Sequence, residues 1–272
     1  VDRLLTMLYF VARYLTDLIL PVRHNAFHVF EPFFRLRLVA WAPPLLVLIT
    51  GVVLVWIYLR RDRKLVALAV STVVTLIPVL NLGGVGQNIY TERYLYIPSL
   101  GFCLVLAALA APLLGRSTRL AWATAAVVVL LLSFLTVRRS TVWRDNKTLY
   151  RATLSASPEA ALVHNNLGTV LFAERNYAAA KKEFQAALEA VSEAYVDSRR
   201  DRATSLLGLG SVASAAGRLE EAWKYAEEAR AVMPNLSESY NVLGVLRGKQ
   251  GRFAEAEKLL RHALKLQPDD PV

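Results

Sequence analysis

A repeat of 34 residues is the feature of this sequence that most restricts how the chain can fold. Residue types recur at that spacing near the C-terminus, at the pairs Gly210/Gly244, Gly217/Gly251, Ala222/Ala256 and Pro234/Pro268. An earlier copy has Gly168 and Ala180 at the positions that correspond to Gly210 and Ala222. Self-similarity at a fixed period of about 20 to 50 residues is typical of solenoids, in which each unit buries its apolar face against its neighbours.

The three copies resemble tetratricopeptide repeats (TPRs), in which two antiparallel helices pack closely. Glycine and alanine at the paired positions allow that close approach, and proline ends the second helix. We predict repeats at residues 161–194, 203–236 and 237–270. Gly168 and Gly210 are 42 residues apart, so we expect the surplus, around residues 195–202, to form an extended helix end or a loop.

Residues 143–157 precede the first repeat and have the spacing of an amphipathic helix. The residues that fall on its predicted apolar face are Trp143, Leu149, Tyr150 and Leu154. The first repeat of a solenoid needs a partner for its open face. We therefore predict that residues 143–160 form a capping helix and linker before a solenoid at residues 161–272.

The N-terminal half contains long apolar runs. A helix needs about 20 mainly apolar residues to cross a bilayer, because its backbone must satisfy its own hydrogen bonds there. The runs that meet or approach this length are residues 4–20, 38–59, 65–82, 94–114 and 120–137. The predicted fold class is therefore all-α, with polytopic transmembrane helices in residues 1–142 followed by a TPR α-solenoid.

The first of these runs has two interpretations. It contains Arg13 and Asp17, which are four residues apart and could pair on one helix face. We favour a helix that crosses the membrane, and the alternative is an amphipathic helix that lies on the membrane surface.

Charge separates the two halves and predicts an orientation. Residues 1–142 have 14 Lys and Arg against five Asp and Glu, whereas residues 143–272 have 18 against 17. Basic residues between apolar runs contact membrane lipid, whereas nucleic-acid binding requires a basic stripe on a soluble domain, so no nucleic acid is predicted. The short basic loops at residues 60–64 and 116–119 predict the cytoplasmic side, so the solenoid should face outside the cytoplasm.

Other chemistry has little support. The sequence opens on Val-Asp-Arg, and we expect it to be the C-terminal part of a longer protein.

His24, His28 and Glu31 have weak metal-ligand spacing, and a polar loop at the membrane surface is the better interpretation. The single cysteine forms no thiolate metal site, and the Gly-rich residues 82–86 lack the features of a nucleotide loop. No cofactor and no metal site among these residues is predicted, and the sequence does not say whether the complete protein uses a metal.

TPR arrays present a concave groove, lined by their first helices, that binds an extended peptide or a partner helix. The polar residues that fall on predicted first helices are His164, Asn165, Asn166, Tyr240 and Asn241. Such side chains also cap and solvate helix ends, and for any single residue this is the more common role. We predict a protein or peptide partner at the groove.

An acid, an arginine and tyrosines lie at the predicted outer mouth of a membrane helix. The site candidates are Glu92, Arg93, Tyr94 and Tyr96. In one hypothesis Arg93 makes bidentate contacts to the phosphate of a lipid carrier, Glu92 holds its guanidinium, and the tyrosine rings stack against sugar. In the other hypothesis the segment is an aromatic belt with a snorkelling arginine. The residues alone leave both open.

Three motifs occur in order along the chain: residues 92–103 (ERYLYIPSLGFC), Trp143-Arg144-Asp145 and Asn165-Asn166-Leu167-Gly168. Set between membrane helices and TPRs, they resemble the transmembrane-and-TPR (TMTC-type) O-mannosyltransferases and their bacterial relatives, which are GT-C glycosyltransferases. The resemblance implies transfer of a sugar, with mannose as the candidate, from a polyprenyl-phosphate carrier to protein hydroxyls. It also implies that Glu92 and Arg93 contact the lipid phosphate and that the TPRs bind the acceptor.

The same resemblance places the catalytic aspartate of such enzymes in their first outer loop, and nothing in this sequence matches that element. The abundance of Ala and Arg points to a bacterial source, and therefore to the inner membrane. The alternative function is a membrane-anchored TPR scaffold for protein–protein interaction, without chemistry.

Overall fold

The computed structural model describes residues 2–19, 25, 46, 49–51, 53, 56–57, 63–76, 92–114, 118–191 and 198–267. The chain forms two compact units, Val1–Val142 and Trp143–Val272. Every regular element within these described residues is helical. The predicted all-α class is confirmed.

Within the described residues, the first unit consists of helices and one 3₁₀ turn. Its bounded elements are α1 (Asp2–Ile19), α2 (Arg63–Val74), the 3₁₀ turn Glu92–Leu95, α3 (Tyr96–Leu114) and α4 (Thr118–Ser140). The isolated positions described between residues 46 and 57, within the predicted span 38–59, are helical as well.

One face of α1 packs against two other parts of the first unit. Phe10 and Tyr14, one helical turn apart, form a core cluster with Leu76, which follows α2, and with Leu95, which ends the 3₁₀ turn. Tyr14 and Leu76 are completely buried. The apolar face of α1 is therefore covered by protein.

The two charged residues of α1 pair with each other. Arg13 Nε lies 3.6 Å from Asp17 Oδ1 across one helical turn, as their spacing predicts. Asp17 is only 7% exposed, whereas the Arg13 side chain is 33% exposed. A buried carboxylate costs several kcal/mol unless a cation accompanies it, so the arginine explains how the acid is tolerated there.

α2 and α3 approach each other at a glycine. A Cβ added to Gly101 would collide with Thr72 Oγ1 and would lie 3.5 Å from the Thr72 Cα. Thr72 is 5% exposed. Small residues at such crossings allow the close backbone contact that holds apolar helices together in a membrane.

One described helix is long and apolar enough to cross a membrane by length and composition, namely Thr118–Trp143. No residue of α4, which forms most of it, is buried within the structure. The apolar stretch Tyr96–Ala108 in α3 is shorter. These helices overlap the predicted spans 120–137 and 94–114, while most of the span 38–59 and the end of 65–82 lie outside the described residues.

The second unit is a row of helix pairs preceded by a single helix. Its helices are α5 (Asn146–Ala156), α6 (Ala161–Ala173), α7 (Tyr177–Ala190), α8 (Ser198–Ala215), α9 (Leu219–Val232), α10 (Ser237–Lys249) and α11 (Phe253–Leu266). The pairs are α6/α7, α8/α9 and α10/α11, and each pair packs on the next. This is the solenoid that the 34-residue period predicts.

α8 is longer than the first helices of the other pairs. It begins at Ser198, before the predicted start of the second repeat at residue 203. One of the two structures expected for the surplus residues, an extended helix end, is therefore present. Residues 192–197 lie outside the described part of the chain.

Glycines in the first helices let other helices approach closely. A Cβ built on Gly168 would lie 2.7 Å from the Phe184 ring in α7, and one on Gly244 would lie 2.7 Å from Leu260 in α11. Phe184 also meets Gly208 of α8, where a Cβ would lie 2.5 Å from the ring. One phenylalanine therefore occupies the space left by two glycines of different repeats.

Each pair turns through a residue in the left-handed conformation. This residue is Gly217 (φ 76°) in the second pair and Gly251 (φ 77°) in the third, but Arg175 (φ 60°) in the first. Glycine adopts this conformation without penalty, whereas a side chain brings its Cβ too close to the following carbonyl oxygen. Arg175 is therefore a strained position in a regular array.

α5 covers the open end of the first pair. Tyr150 and Leu154 pack against the core that α6, α7 and α8 share, and Thr153 is 2% exposed. Trp143, which we predicted on the same face, is instead 59% exposed. The reason is that α5 begins only at Asn146, so its periodicity does not extend to Trp143.

Candidate functional site

The first helices of the three pairs form one surface. α8 packs beside α6 on one side and beside α10 on the other. Each helix has an exposed or half-exposed stripe: Asn166, Thr169 and Ala173 on α6; Thr204, Ser211 and Ala215 on α8; Glu238, Val245 and Lys249 on α10. Their spacing puts the members of each stripe on one helix face, turned away from the repeat glycines that meet the second helices. We call this surface the groove.

The groove is lined by small side chains and is nearly neutral. Its charged residues among these stripes are Glu238 and Lys249, and both have partners. Arg200 lies 3.8 Å from Glu238, and Lys249 Nζ donates a hydrogen bond to Ser214 Oγ at 2.8 Å. The Thr169 and Ser211 hydroxyls donate to carbonyl oxygens one turn back in their own helices, at 3.0 and 2.9 Å. Their oxygens can still accept hydrogen bonds from a peptide backbone.

Two predicted groove residues instead face the second helix of their own repeat. His164 Nδ1 is 2.7 Å from Glu183 Oε2 in α7, and its Nε2 is 3.0 Å from the Pro158 carbonyl oxygen. The Tyr240 ring centre is 4.3 Å from that of His262 in α11. His164 and Tyr240 both lie four residues before the repeat glycine, so they point the same way and pack between paired helices.

Asn165 is not a groove residue either, because it is only 1% exposed. Its Nδ2 donates to the Asp201 carbonyl oxygen at 3.2 Å, and its Oδ1 accepts from Ser205 Oγ at 3.0 Å. α8 therefore covers this side chain, and the amide connects the first helices of two repeats. The prediction that Asn165 lines the groove is wrong.

Asn166 and Asn241 remain candidate groove residues. Both are half-exposed. Asn166 lies one turn before Thr169 on the exposed stripe of α6, and Asn241 lies one turn before Val245 on α10. Their contact with a partner stays a prediction.

The sequence analysis missed the groove residues that directly follow the repeat glycines. These residues are Thr169, Ser211 and Val245. A signal was available, because successive residues of a helix are turned by about 100° and a neighbour of a helix-contact position leaves that contact. They were missed because their side chains have no chemistry that stands out in a sequence.

The second candidate site is the 3₁₀ turn Glu92–Leu95. It leads directly into α3, a helix of 19 residues. Leu95 is buried against α1, whereas Tyr94 and Tyr96 are 39% and 80% exposed. The side chains of Glu92 and Arg93 lie outside the described residues, so both hypotheses for this segment stay predictions.

Asp145, from the Trp143-Arg144-Asp145 motif, is the N-cap of α5. Its Oδ1 accepts from the Thr148 backbone N–H at 2.8 Å, and its Oδ2 accepts from Thr148 Oγ1 at 2.9 Å. These hydrogen bonds, the backbone one first, lower the pKa of Asp145 below its ordinary value of 3.8. Helix capping therefore accounts for this acid.

No group of three His, Cys, Asp or Glu side chains that could hold a metal ion occurs in the part of the chain that the structure describes. His24, His28 and Glu31, the weak candidates from the sequence, lie outside that part.

The helix pairs and their glycine contacts define a class of protein, and comparison with known families agrees. Profiles described as "Tetratricopeptide repeat" match residues 159–235 and residues 237–270. The second unit is therefore a tetratricopeptide-repeat domain. Among solved structures, the crystal structure of MamA superimposes with a TM-score of 0.36 at 20% identity, over 45% of this chain and 67% of that chain.

Similarity to named proteins is more specific. The chain is 27% identical over 210 residues to the human Protein O-mannosyl-transferase TMTC3, which covers 71% of this chain and 22% of that protein. It is 34% identical over 124 residues to the human Protein O-mannosyl-transferase TMTC4, which covers 44% of this chain and 17% of that protein. The chain is therefore similar to the TMTC-type O-mannosyltransferases, and it spans about a fifth of the length of these two proteins.

Proposed function

We propose that this chain is part of a membrane glycosyltransferase and that it binds both the lipid carrier and the acceptor. The acceptor is a protein hydroxyl, whose oxygen attacks the anomeric carbon of the sugar. The bond from that carbon to the carrier phosphate breaks, and the hydroxyl proton passes to an outer-loop carboxylate of the complete protein. Mannose is the candidate sugar, and a polyprenyl phosphate is the candidate carrier, which is a substrate rather than a cofactor.

One observation carries the proposal. The match to human TMTC3 covers 71% of this chain, whereas the TPR unit, Trp143–Val272, is less than half of it. TPRs occur in proteins of many unrelated functions, so similarity confined to them would say little. A match that reaches into the first unit supports a common function more strongly.

The apolar helix Thr118–Trp143 supports the placement of the first unit in a membrane. We place the protein in a bacterial inner membrane with the TPR unit outside the cytoplasm, on the basis of the short basic loops and of the resemblance. In this orientation the turn Glu92–Leu95 is at the outer mouth of α3.

Arg93 has the central role in this proposal. When the glycosidic bond breaks, the carrier phosphate changes from a diester to a monoester and gains negative charge. A guanidinium stabilises that charge through two parallel hydrogen bonds, and Glu92 orients it. The exposed rings of Tyr94 and Tyr96 are then available to stack on the sugar.

The groove of the TPR unit is the candidate acceptor site. Its small, nearly neutral stripes suit an extended peptide with few charges, because such a peptide can bring its backbone close to the first helices. Segments rich in Ser and Thr have this character and also supply the hydroxyl groups. The proposed acceptor is therefore an extended protein segment rather than a folded surface.

A scaffold without chemistry is the second candidate. It is favoured by the TPR unit itself, because TPRs occur in proteins of many unrelated functions. In that case the TPR unit binds a partner and the first unit only anchors it.

The test is sugar transfer by the full-length protein in membranes that contain polyprenyl-phosphate mannose. Arg93→Lys keeps the charge and loses the fork geometry, so a phosphate-binding role predicts a clear loss of activity. Arg119→Lys, at an exposed arginine of α4, is the matched control and should retain activity at equal expression. Full activity of Arg93→Lys and of Arg93→Ala would contradict the phosphate role, and no transfer by the parent would favour the scaffold.

A further inference from the structure

The turns between the paired helices lie along one edge of the TPR unit. Asn165 near the start of α6 contacts Asp201 near the start of α8, so these two helices run in the same direction. Lys249 at the end of α10 contacts Ser214 near the end of α8, which extends the same alignment to the third pair. We call the edge formed by these turns, residues 174–176, 216–218 and 250–252, the turn edge.

The start of α5 is at the turn edge as well. Lys147, in the first turn of α5, pairs with Glu174 in the turn of the first pair. Trp143 lies just before α5 and ends the apolar stretch Thr118–Trp143, which is long enough to cross a membrane. The chain therefore enters the TPR unit at the turn edge, directly after a segment that suits lipid.

Among the described residues of the TPR unit, three aromatic side chains are exposed, and all of them lie at this edge. Trp143 is 59% exposed, Tyr177 is 37% exposed and Phe253 is 73% exposed. Tyr177 and Phe253 are the first residues of α7 and α11, so both directly follow turns. Exposed rings of this kind are typical of the interface between a membrane and water, where one side of the ring is in apolar surroundings.

The turn edge also carries an excess of positive charge. Residues 143–147, 170–180, 212–222 and 246–256 contain seven Lys and Arg against five Asp and Glu. Arg144 and Arg175 are exposed, and neither has an ion pair within the part of the chain that the structure describes. Each of these two arginines is within two residues of an exposed ring, so cations and rings alternate along the edge.

Arg175 is the more informative of the two arginines. It has a φ of 60° where the other repeats have Gly217 and Gly251, so its backbone would be less strained as glycine. Strained positions are common where the side chain has a role in function. A role for the Arg175 side chain at the turn edge accounts for an arginine at this position.

We propose that the turn edge docks on the surface of an anionic lipid bilayer. The rings of Trp143, Tyr177 and Phe253 enter the interface, and Arg144 and Arg175 contact lipid phosphates. A bilayer fits this edge better than a protein does, because the rings are spread from α5 to the third pair and do not form one patch.

Docking in this way gives the groove a fixed height above the membrane. A first helix of 13 residues, such as α6, is about 20 Å long, so a peptide in the groove lies within that distance of the lipid. The inference goes beyond the proposed function and does not depend on sugar transfer, because a scaffold without chemistry would dock in the same way.

The experiment measures lipid contact of the full 272-residue chain in nanodiscs. In a Cys103→Ser background, a fluorophore is attached to Ala216→Cys at the turn edge or to Asn235→Cys, between α9 and α10 at the opposite edge. Both positions are exposed. Phosphatidylcholine with a nitroxide on its headgroup quenches a label that reaches the surface. The nanodiscs contain either phosphatidylcholine alone or equal parts of phosphatidylcholine and phosphatidylglycerol.

We expect strong quenching of the label at Ala216 in the anionic nanodiscs and little quenching of the label at Asn235. Phe253→Ser should lower the ratio of docked to undocked protein about tenfold, or about 1.4 kcal/mol, because the ring no longer enters the interface. Arg175→Gln should lower it about fivefold in the anionic nanodiscs, since one basic residue contributes about 1 kcal/mol at such a surface.

Two matched variants control for the substitutions themselves. Val245→Ser removes an exposed apolar side chain from the groove, and Arg199→Gln removes an exposed arginine at the start of α8, on the opposite edge. Both should dock as the parent does. Equal quenching of the two labels, or parent-like quenching in Phe253→Ser, would overturn the docking. Equal quenching of the label at Ala216 with and without phosphatidylglycerol would overturn the preference for an anionic surface.

Discussion

Arg175 has a φ of 60° at the position where the second and third repeats have Gly217 and Gly251. A left-handed conformation costs a residue with a Cβ roughly 1–2 kcal/mol. A glycine at this position would avoid that cost. It would also increase the conformational entropy of the unfolded chain, which offsets part of the stabilisation. The first repeat therefore folds with a local cost that the other two avoid.

Replacing Arg175 by glycine should raise the free energy of unfolding by about 1 kcal/mol. The matched control is Arg218→Gly, an arginine-to-glycine change at a residue whose φ is −84°. There the change brings flexibility and removes an exposed ion pair with Glu221, 3.0 Å long, which contributes little. It should destabilise the fold by roughly 0.5–1 kcal/mol. Urea unfolding of the fragment Trp143–Val272 gives both values. A loss of stability with both variants would show that the conformation of Arg175 is not strained.

The N-cap residue Asp145 should make the stability of the TPR unit depend on pH. Its pKa is lowered in the folded state by the hydrogen bonds from Thr148, so the charged cap stabilises the fold above the ordinary pKa of the carboxyl group. As the pH falls through the lowered folded-state pKa, that contribution disappears.

The variant Asp145→Asn should therefore be less stable than the parent at neutral pH and equal to it in acid. The asparagine can still accept the backbone hydrogen bond, but it lacks the charge that interacts with the helix dipole. Urea unfolding across this pH range measures the difference. A gap between the two proteins that does not change with pH would contradict the capping role.

At the scale of the helices, the pairs depend on close contacts at the repeat glycines. Gly244 meets Leu260 and the Ala256 carbonyl oxygen, the latter 3.3 Å from an added Cβ. Gly248, one turn further along α10, has nothing within 4 Å of such an atom. The two glycines share a helix but differ in what surrounds them.

Gly244→Leu should destabilise the TPR unit by about 3 kcal/mol, because the added side chain has no space between α10 and α11. Gly248→Leu is the control, and it should be neutral or stabilise the helix by up to about 1 kcal/mol, since leucine is the better helix former. Thermal unfolding followed by circular dichroism compares them. Equal melting temperatures would mean that the repeat register is wrong.

These helices show what could be predicted from sequence and what could not. The period of 34 residues identified the paired helices, because glycine and proline at fixed spacing act locally. The residues that line the groove were harder to predict, since they depend on how each helix is rotated against its partner. His164 and Tyr240 were expected in the groove, but they lie on the face that meets the second helix. Asn165 is covered by α8, whose register the 34-residue period does not predict.

At the scale of the whole chain, the two units have different surfaces. The first carries most of the excess positive charge and an apolar helix with no buried residue in α4. The second is balanced in charge and presents a nearly neutral groove. This difference supports the proposal that the first unit contacts the lipid carrier and the second binds a peptide.

A large charged side chain in the groove should block a peptide without damaging the fold. Val245 is 49% exposed, so Val245→Arg should weaken binding of a labelled Ser/Thr-rich peptide by about tenfold, or about 1.4 kcal/mol. Glu228→Arg places the same side chain at an exposed position of the second helix α9 and should bind as the parent does. Fluorescence polarisation measures both. Equal binding by the two variants would place the peptide outside the groove.

The contact of the Phe184 ring with the next repeat limits where a repeat can be inserted or lost during evolution. At the first junction between repeats the ring faces Gly208, where a Cβ would lie 2.5 Å away. At the second junction Ala226 stands at the position of Phe184, and Val242 stands at the position of Gly208; both belong to one core. The larger side chain is therefore on the second helix at the first junction and on the first helix at the second junction. A duplicated third repeat inserted after α7 would bring a valine against the phenylalanine ring. The repeats are therefore not interchangeable modules, and gain or loss of a repeat is tolerated more readily beyond α9 than before α8.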